Sequence, residues 1–361
     1  MVAEKKDPLG RRAKALNAGL HEACVTEIIP VSECYCIPYL DWILDLVRLS
    51  HTVNKGNGVR GPTAPRGWIA IQTTSKEAVF YSNQKQGGYY WAFGFPLVSD
   101  CWAFPKLSQC LALMAVFHYW RWSEKEAHQL GDIPAAICVP LSEFDSLACD
   151  QRARKRLVSE INSIFSTMKI YKSVKPFSGI PSGRPFTLLK PTRSTRKGVV
   201  TFELSDAFMR SLDDEWRAAK RYGARKIAFI PRTLSAIDPH KRKSILCGFI
   251  LAVRYSMNSA TRNRISLQKL KEQLLYGEDR NWLTPGDSST HKGASLHEIL
   301  SDLEMAGLLA GYSFTADSGA DLPDPRRIKN GNLVYSIPAI DSEKQKYKKT
   351  SPQKKNTLPG N

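Results

Sequence analysis

The order of predicted elements between residues 106 and 338 constrains the fold most, because the same order occurs twice. In the first copy, the apolar helix LSQCLALMAVFHYWRW precedes an extended piece, ICVPL, and a short helix that we expect Ser142 to cap. A basic helix from Asp150 follows, and then the strands MKIYKS and GVVTFEL around a Gly-, Pro- and Arg-rich loop. This order is typical of a winged helix-turn-helix domain.

The second copy begins with the helix DPHKRKSILCGFILAVRYSMNS and continues with a short helix starting at Ser266. A third helix ends at Gly307, and a strand, a loop and a return strand complete the copy. The two copies share a pattern of elements and little sequence. We therefore predict an α+β chain with tandem winged helix-turn-helix domains and an additional N-terminal α/β region.

The predicted chain has four segments. They are an N-terminal region of unassigned role (1–105), a first winged-helix domain (106–205), a linker helix with a second winged-helix domain (206–340), and a disordered lysine-rich tail (341–361).

The net charge of +18 points to a polyanionic partner, either nucleic acid or an anionic membrane surface. The charge is concentrated, since residues 150–200 contain 12 Lys and Arg but only Asp150 and Glu160 as acids. No run approaches the roughly 18 apolar residues of a membrane-spanning helix, and no long lysine-backed amphipathic helix is evident. We expect double-stranded DNA as the partner and no membrane.

The N-terminal sequence MVAEKKDPLGRRAK leads into no apolar segment of the kind that signal peptides contain. We therefore expect a cytoplasmic, nucleoid- or plasmid-associated protein whose cysteines are free thiols.

The basic helix DQRARKRLVSEINSIFST separates on a helical wheel into an apolar stripe and a polar face. Glu160, its only acid past the cap, lies to the flank. Solvated helix faces usually mix Glu and Lys, whereas a face without carboxylates suits a DNA groove. The helix residues that we predict to bind DNA are Arg152, Arg154, Lys155, Arg156, Ser159, Asn162 and Ser163.

The loop after MKIYKS carries positive charge and no acid, which suits a wing that contacts the phosphate backbone. The predicted wing residues are Arg184, Lys190, Arg193, Arg196 and Lys197. The alternative is a basic loop without a specific role.

The second copy has fewer basic residues at the corresponding positions. Its predicted DNA-binding residues are Arg262, Arg264, Lys269, His291, Lys292, Arg326, Arg327 and Lys329. Its third helix, LHEILSDLEM, is acidic and would repel phosphate. Contact with DNA through the edges of this copy and homodimerisation are equal alternatives.

Sequence motifs of enzymes are absent: there is no GxxxxGK[ST], GxGxxG, HExxH or GxSxG. The one metal-like cluster is His21, Cys24, Cys34 and Cys36, but its Cys-x-Cys half is atypical of structural zinc. The aromatic run QGGYYWAFGFP is either core or a stacking platform for bases. We expect no catalytic residue, no cofactor and no metal. Zinc bound at the cysteine cluster is the alternative that the sequence leaves open.

The segments LVSEINSIFSTMKIYKS, GVVTFELSDAFMRSL, AFIPRTLSAIDPHKRKSILCGFILAVRYSMNS and ISLQKLKEQL together resemble the plasmid-type bacterial replication initiators, or Rep proteins. The likeness extends from about Lys106 to Pro338 and rests on pattern rather than on an invariant motif. It implies two winged-helix modules that grip repeated origin sequences, local melting of the duplex, and recruitment of a host replication helicase or initiator.

Two other functions remain open at the level of sequence. A transcriptional regulator would use the same fold at a promoter. A nucleic-acid-processing enzyme would place its chemistry in residues 1–105.

Overall fold

The computed structural model describes residues 33–38, 42–52, 64, 67–74, 76–82, 84, 88–98, 101–102, 104–130, 136–181, 183–196, 198–211, 227–256, 263–274, 295–316 and 331–350. They form a mixed α+β structure with several small antiparallel sheets, which confirms the predicted class at that level.

The N-terminal region contributes a helix and most of one sheet. Its elements are β1 (Cys34–Pro38), α1 (Ile43–Thr52), β2 (Ile69–Thr74), β3 (Glu77–Tyr81), β4 (Tyr90–Val98) and β5 (Cys101–Trp102). Strands β2, β3 and β4 pair in that order, all antiparallel. Because side chains alternate across a strand, Trp91, Phe93 and Phe95 all enter the core from β4, each at most 1% exposed.

The next segment contains the basic helix. Its elements are α2 (Leu107–Leu130), β6 (Ala136–Pro140), a 3₁₀ helix (Leu141–Leu147), α3 (Gln151–Thr167), β7 (Lys169–Ser173), β8 (Leu189–Arg196) and β9 (Val199–Leu204). We call all of these except β7 the first unit. Its three strands form a sheet in the order β6-β9-β8, and β8 and β9 are a hairpin.

Two sequence expectations in this segment are wrong. MKIYKS is not a wing strand: as β7 it pairs with β4, with Ile170 opposite Phe93, since the fully buried Ile170 completes the core there. The short helix is not capped by Ser142, because the 3₁₀ helix begins at Leu141 after Pro140, with no side-chain cap. Proline already holds its φ near −65° and favours such a start; here φ of Pro140 is −58°.

The rest of the described chain contains the second copy of the pattern. Its elements are β10 (Ile227–Pro231), a 3₁₀ helix (Arg232–Ala236), α4 (Arg242–Ser256), β11 (Arg264–Ser266), α5 (Leu267–Gln273), α6 (Leu296–Met305), β12 (Gly311–Thr315), β13 (Asn332–Ser336) and α7 (Pro338–Thr350). We call α4 through β13 the second unit.

The two units share a strand order as well as an element order. The second sheet runs β11-β13-β12, so in both sheets the last strand lies between the first and the second. The expected start of α5 is confirmed, since Ser266 Oγ accepts a hydrogen bond from Lys269 N at 3.3 Å. Gly307 follows α6 with φ of +69°, a conformation that suits glycine at a helix C-terminus.

Strands and a helix from distant parts of the chain join the two units. β1 pairs with β10, which leads into the second unit, and α7 packs against both strands. These pairings, and that of β7 with β4, cross the segment boundaries expected from the sequence. A single continuous apolar core includes residues of both units and of the N-terminal region.

The prediction of disorder from residue 341 onward is wrong as far as Thr350, where α7 ends. Ile340 is fully buried, Tyr255 Oη donates to Asp341 Oδ2 at 2.7 Å, and Lys344 Nζ donates to Tyr255 O at 2.8 Å. The lysine-rich composition predicted disorder and gave no indication that Ile340, Asp341 and Lys344 contact the rest of the chain. Residues 351–361 lie outside the described residues.

Candidate nucleic-acid interface

Helix α3 is fixed at its N-terminus and along one side. Asp150 caps its N-terminus, accepting a hydrogen bond from Ala153 N at 2.7 Å, as an N-cap aspartate does. Its buried side consists of Leu157, Val158, Ile161, Asn162 and Phe165. The predicted apolar stripe is therefore confirmed, and it sets which face points outward.

The outward face of α3 carries a line of basic and small polar side chains. Arg152, Lys155, Ser159 and Ser163 are all exposed and are spaced by three, four and four residues, so they follow one another along the helix. In the described part of the chain neither Arg152 nor Lys155 forms an ion pair. Two cations and two hydroxyls are thus free to meet a ligand.

Two further arginines of α3 already have acidic partners. Arg154 forms an ion pair with Asp145 of the preceding 3₁₀ helix. Arg156 pairs with Glu160 at 2.8 Å, and Glu160 also accepts from Gln109 at 2.7 Å. These pairs compete with phosphate for the two guanidinium groups, so their contribution to an anion site is smaller than the sequence suggested.

The predicted position of Asn162 is wrong. Its side chain is 6% exposed, and its Nδ2 donates to the carbonyl oxygen of Pro191 in β8 at 2.9 Å. The amide satisfies a backbone acceptor between the helix and the hairpin. Asn162 therefore positions α3 and does not lie on the outward face.

The β8–β9 hairpin replaces the long wing that the sequence predicted. Lys190, Arg193 and Arg196 lie on β8 itself, with Arg193 opposite Phe202 and Arg196 opposite Val199. The turn contains Gly198, whose φ is +79°. Arg196 is exposed beside this turn, whereas Arg184 is exposed in the segment between β7 and β8.

Not every predicted wing residue is available or described. Lys190 Nζ lies 3.0 Å from Asp206 Oδ1 and 3.9 Å from Glu203 Oε2, so this lysine is already neutralised. Lys197 and the side chain of Arg193 fall outside the described residues.

In the second unit the structure describes two of the eight predicted DNA-binding residues. Lys269 is exposed on α5. Arg264 is half-buried, and its Nη2 donates to Ala316 O at 3.2 Å, which indicates a structural role. The predicted residues that fall outside the described part of the chain are Arg262, His291, Lys292, Arg326, Arg327 and Lys329.

Helix α6 of the second unit corresponds to α3 but differs in charge. Ser295 and Glu298 form a reciprocal capping box at its start. Asp302 is engaged inside the molecule by Lys241 Nζ at 2.6 Å and Ser244 Oγ at 2.7 Å. Glu298, Glu304 and Met305 are exposed, so the outward face is acidic with one large apolar side chain.

A polar cluster joins the first unit to β1 and to the 3₁₀ helix that precedes α4. Arg232 Nη1 forms an ion pair with Glu143 at 2.5 Å, its guanidinium lies 4.6 Å from the centre of the Tyr35 ring, and Tyr119 Oη donates to Glu143 at 2.9 Å. His118 Nδ1 accepts from Cys36 N at 2.9 Å. No local pattern signals this cluster, because Glu143 and Arg232 are 89 residues apart.

Burial controls the protonation of this cluster. Desolvation, together with the charge of Arg232, lowers the pKa of His118 to about 4, so the imidazole is neutral at pH 7. Desolvation also raises the pKa of Tyr35 to about 12. The Arg232–Glu143 ion pair of this cluster therefore links the first unit to the 3₁₀ helix before α4, next to a neutral imidazole and a neutral phenol.

The other features noted in the sequence show no ligand site within the described chain. His21 and Cys24 lie outside it, Cys34 is fully buried, and no group of three or more His, Cys, Asp or Glu residues suits a metal among the residues described. Most of the aromatic run is core, although Tyr89 is half-buried with Lys172 Nζ 4.0 Å from its ring centre.

Among the helices described, none is long and apolar enough to cross a bilayer. No family model, curated protein or solved structure matches the chain.

Proposed function

We propose that the chain is a sequence-specific double-stranded DNA-binding protein in which both units are winged helix-turn-helix domains. In this proposal α3 is the recognition helix of the first unit and the β8–β9 hairpin is its wing. The observation that carries the proposal is the exposed line of Arg152, Lys155, Ser159 and Ser163 on the third helix of a helix–strand–helix–helix–hairpin unit.

The chemistry of this face suits the major groove of DNA. The groove is wide enough for one α-helix, and serine side chains permit close approach. Arg152 and Lys155 lie in the N-terminal part of α3, where helix-turn-helix proteins contact base edges and phosphates. Arg196 beside the hairpin turn is placed to contact the backbone.

The second unit has a different part in the proposal. The acids of α6 disfavour its entry into a groove, so this unit contacts DNA through an edge such as Lys269, or makes a homodimer. The mass of the protein–DNA complex distinguishes these two arrangements.

The biological role that we propose is replication initiation at a plasmid or another mobile element. Two units in tandem and the resemblance to Rep proteins support binding to repeated origin sequences, followed by melting and recruitment of a host helicase or initiator. The proposal assigns no catalytic step to the chain. A transcriptional regulator would bind single promoter sites instead of iterated repeats.

The test is selection of bound sequences from random duplex DNA, with single-stranded DNA and RNA as competitors. The proposal predicts a recurrent duplex motif that neither competitor displaces. Preferential binding to single strands or RNA, or no enrichment, would contradict it.

A matched pair of variants then tests the assignment to α3. Arg152→Gln should weaken binding to the selected duplex more than Arg156→Gln does, because Arg156 is already paired with Glu160. Unchanged binding in Arg152→Gln would place the outward line of α3 off the DNA.

A further inference from the structure

The described residues of the segment 174–185 (174–181 and 183–185), here called the 174–185 loop, combine positive charge with exposed aliphatic side chains. This loop lies in a stretch, residues 161–202, that contains eight Lys and Arg and no Asp or Glu. The loop itself carries Lys175 and Arg184, both exposed. These two exposed cations favour an anionic partner.

The loop is held in place by buried residues. Phe177 is 9% exposed, and its ring lies 5.4 Å from that of Tyr81 on the face of the sheet turned away from Trp91. Pro181 is buried. After the loop, Phe186 exchanges two backbone hydrogen bonds with Ile170, at 2.8 and 3.0 Å.

Between these anchors, two large aliphatic side chains point into solvent. Val174 is 67% exposed and Ile180 is 65% exposed. They are two of the four large hydrophobic side chains that the described residues expose in this way. Single exposed aliphatic side chains are common on protein surfaces. Here two of them lie on the same short basic loop.

The backbone around Ile180 is shaped by glycine. Gly179 has φ of +152° and Gly183 has φ of +140°, which disfavour other residues. A Cβ built at either glycine would meet nothing within 4 Å. These glycines therefore serve the path of the chain and not its packing, and that path leaves Ile180 outside while Pro181 returns to the protein.

β7 separates the start of the loop from the C-terminal end of α3, whereas the chain returns to that helix directly after the loop. β7 starts at Lys169, immediately after that helix, and on the return Leu188 N donates to Phe165 O of α3 at 3.1 Å. The return of the loop is therefore attached to the helix that we propose to lie on the DNA.

We propose that the 174–185 loop is a second DNA contact, in which Ile180 inserts against the bases of one step in the minor groove while Lys175 and Arg184 bind the adjacent phosphates. Isoleucine is among the residues that DNA-bending proteins use in this way, partly unstacking a step. The inference rests on the proposed DNA-binding function. It adds a site at which the duplex is distorted, and melting requires such distortion.

The test uses the full chain and the selected duplex with 2-aminopurine placed at successive positions, since this base fluoresces more strongly when it is unstacked. Ile180→Ser is compared with Met305→Ser, which removes a 73% exposed side chain from α6. Unfolding curves should show both variants to be folded, because neither side chain is buried.

The wild-type protein and Met305→Ser should raise the fluorescence at one step, and Ile180→Ser should not. Ile180→Ser should also weaken binding by roughly tenfold, the order expected when one buried aliphatic contact is lost. It should lose any preference for a duplex with a mismatch at that step, where unstacking costs less.

Four results would overturn the inference. If the wild-type protein binds the duplex without a fluorescence change, or if Ile180→Ser behaves like wild type, the loop is not an inserting contact although DNA binding stands. If Ile180→Ser instead converts an oligomer to a monomer in light scattering, the loop is a protein interface. If no duplex is bound at all, the proposed function falls and this inference falls with it.

Discussion

Helices α3 and α6 hold the same place in two units of the same topology, yet they present opposite charges to solvent. Both bury an apolar stripe and begin with a side-chain cap. The exposed residues of α3 include Arg152 and Lys155, whereas those of α6 include Glu298 and Glu304. The difference shows that the shared topology positions the third helix of each unit. A few exposed residues then decide what that helix can bind.

The largest predicted difference between the two units is in how the unfolding free energy depends on pH, because their first helices differ in the burial of a histidine. α2 buries His118, 3% exposed, whereas His240 beside α4 is exposed. The pKa of His118 is about 4 in the folded chain and near 6.5 when unfolded. As the pH falls below 6.5 the unfolded chain therefore takes up the proton first, and this site loses stability until the pH passes below 4.

The variant His118→Gln isolates this effect, because glutamine can still accept the hydrogen bond from Cys36 N. Relative to the variant, the wild-type protein should lose about 3 kcal/mol between pH 7 and pH 4. Urea unfolding of both proteins at the two pH values measures the difference. Taking a difference also removes the opposing effect of Asp45, whose pKa burial raises to about 6. A difference independent of pH would mean that His118 is not buried and neutral.

The second prediction tests how α3 is held in its unit. Asn162→Ala removes the donor to Pro191 O and leaves that backbone acceptor without its partner. Loss of a buried hydrogen bond should cost about 1–3 kcal/mol of unfolding free energy, with no change in the DNA sequence selected. Ser163→Ala, at the exposed neighbour, is the control and should be near neutral in stability. A relaxed sequence preference in Asn162→Ala without loss of stability would contradict the assigned position.

The third prediction compares the caps of the two helices. Asp150→Ala in α3 and Ser295→Ala in α6 should each cost about 1 kcal/mol, the usual effect of losing an N-cap. Similar losses of unfolding free energy, measured by chemical denaturation, would show that the N-termini of α3 and α6 are stabilised in the same way. A loss confined to one of them would show that the likeness between the units stops at topology.

Much of the fold was predictable because it follows local patterns. The apolar stripe of α3, the cap at Ser266 and the end of α6 before Gly307 are each set by neighbours in sequence. β7 was predicted as a strand but given the wrong partner. Its register against β4 depends on a core contact between Ile170 and residues far away in the chain.

The candidate site was predictable in composition and only partly in geometry. Exposure of Arg152 and Lys155 follows from the helical wheel. The pairing of Arg154 with Asp145 and of Lys190 with Asp206 depends on the tertiary structure. Asn162 shows the limit most clearly, since the helical wheel groups it with the outward polar residues, whereas the hairpin beside α3 makes it a buried donor.

The central claim, that α3 and not α6 lies on the DNA, is tested most directly by the salt dependence of binding. The double variant Arg152→Gln/Lys155→Gln should flatten the slope of log K against log salt by about 1.8, since each phosphate contact contributes roughly 0.9. Glu304→Gln on α6 should leave the slope and the affinity unchanged. An unchanged slope in the double variant, or tighter binding in Glu304→Gln, would place the acidic helix nearer to the DNA than the basic one.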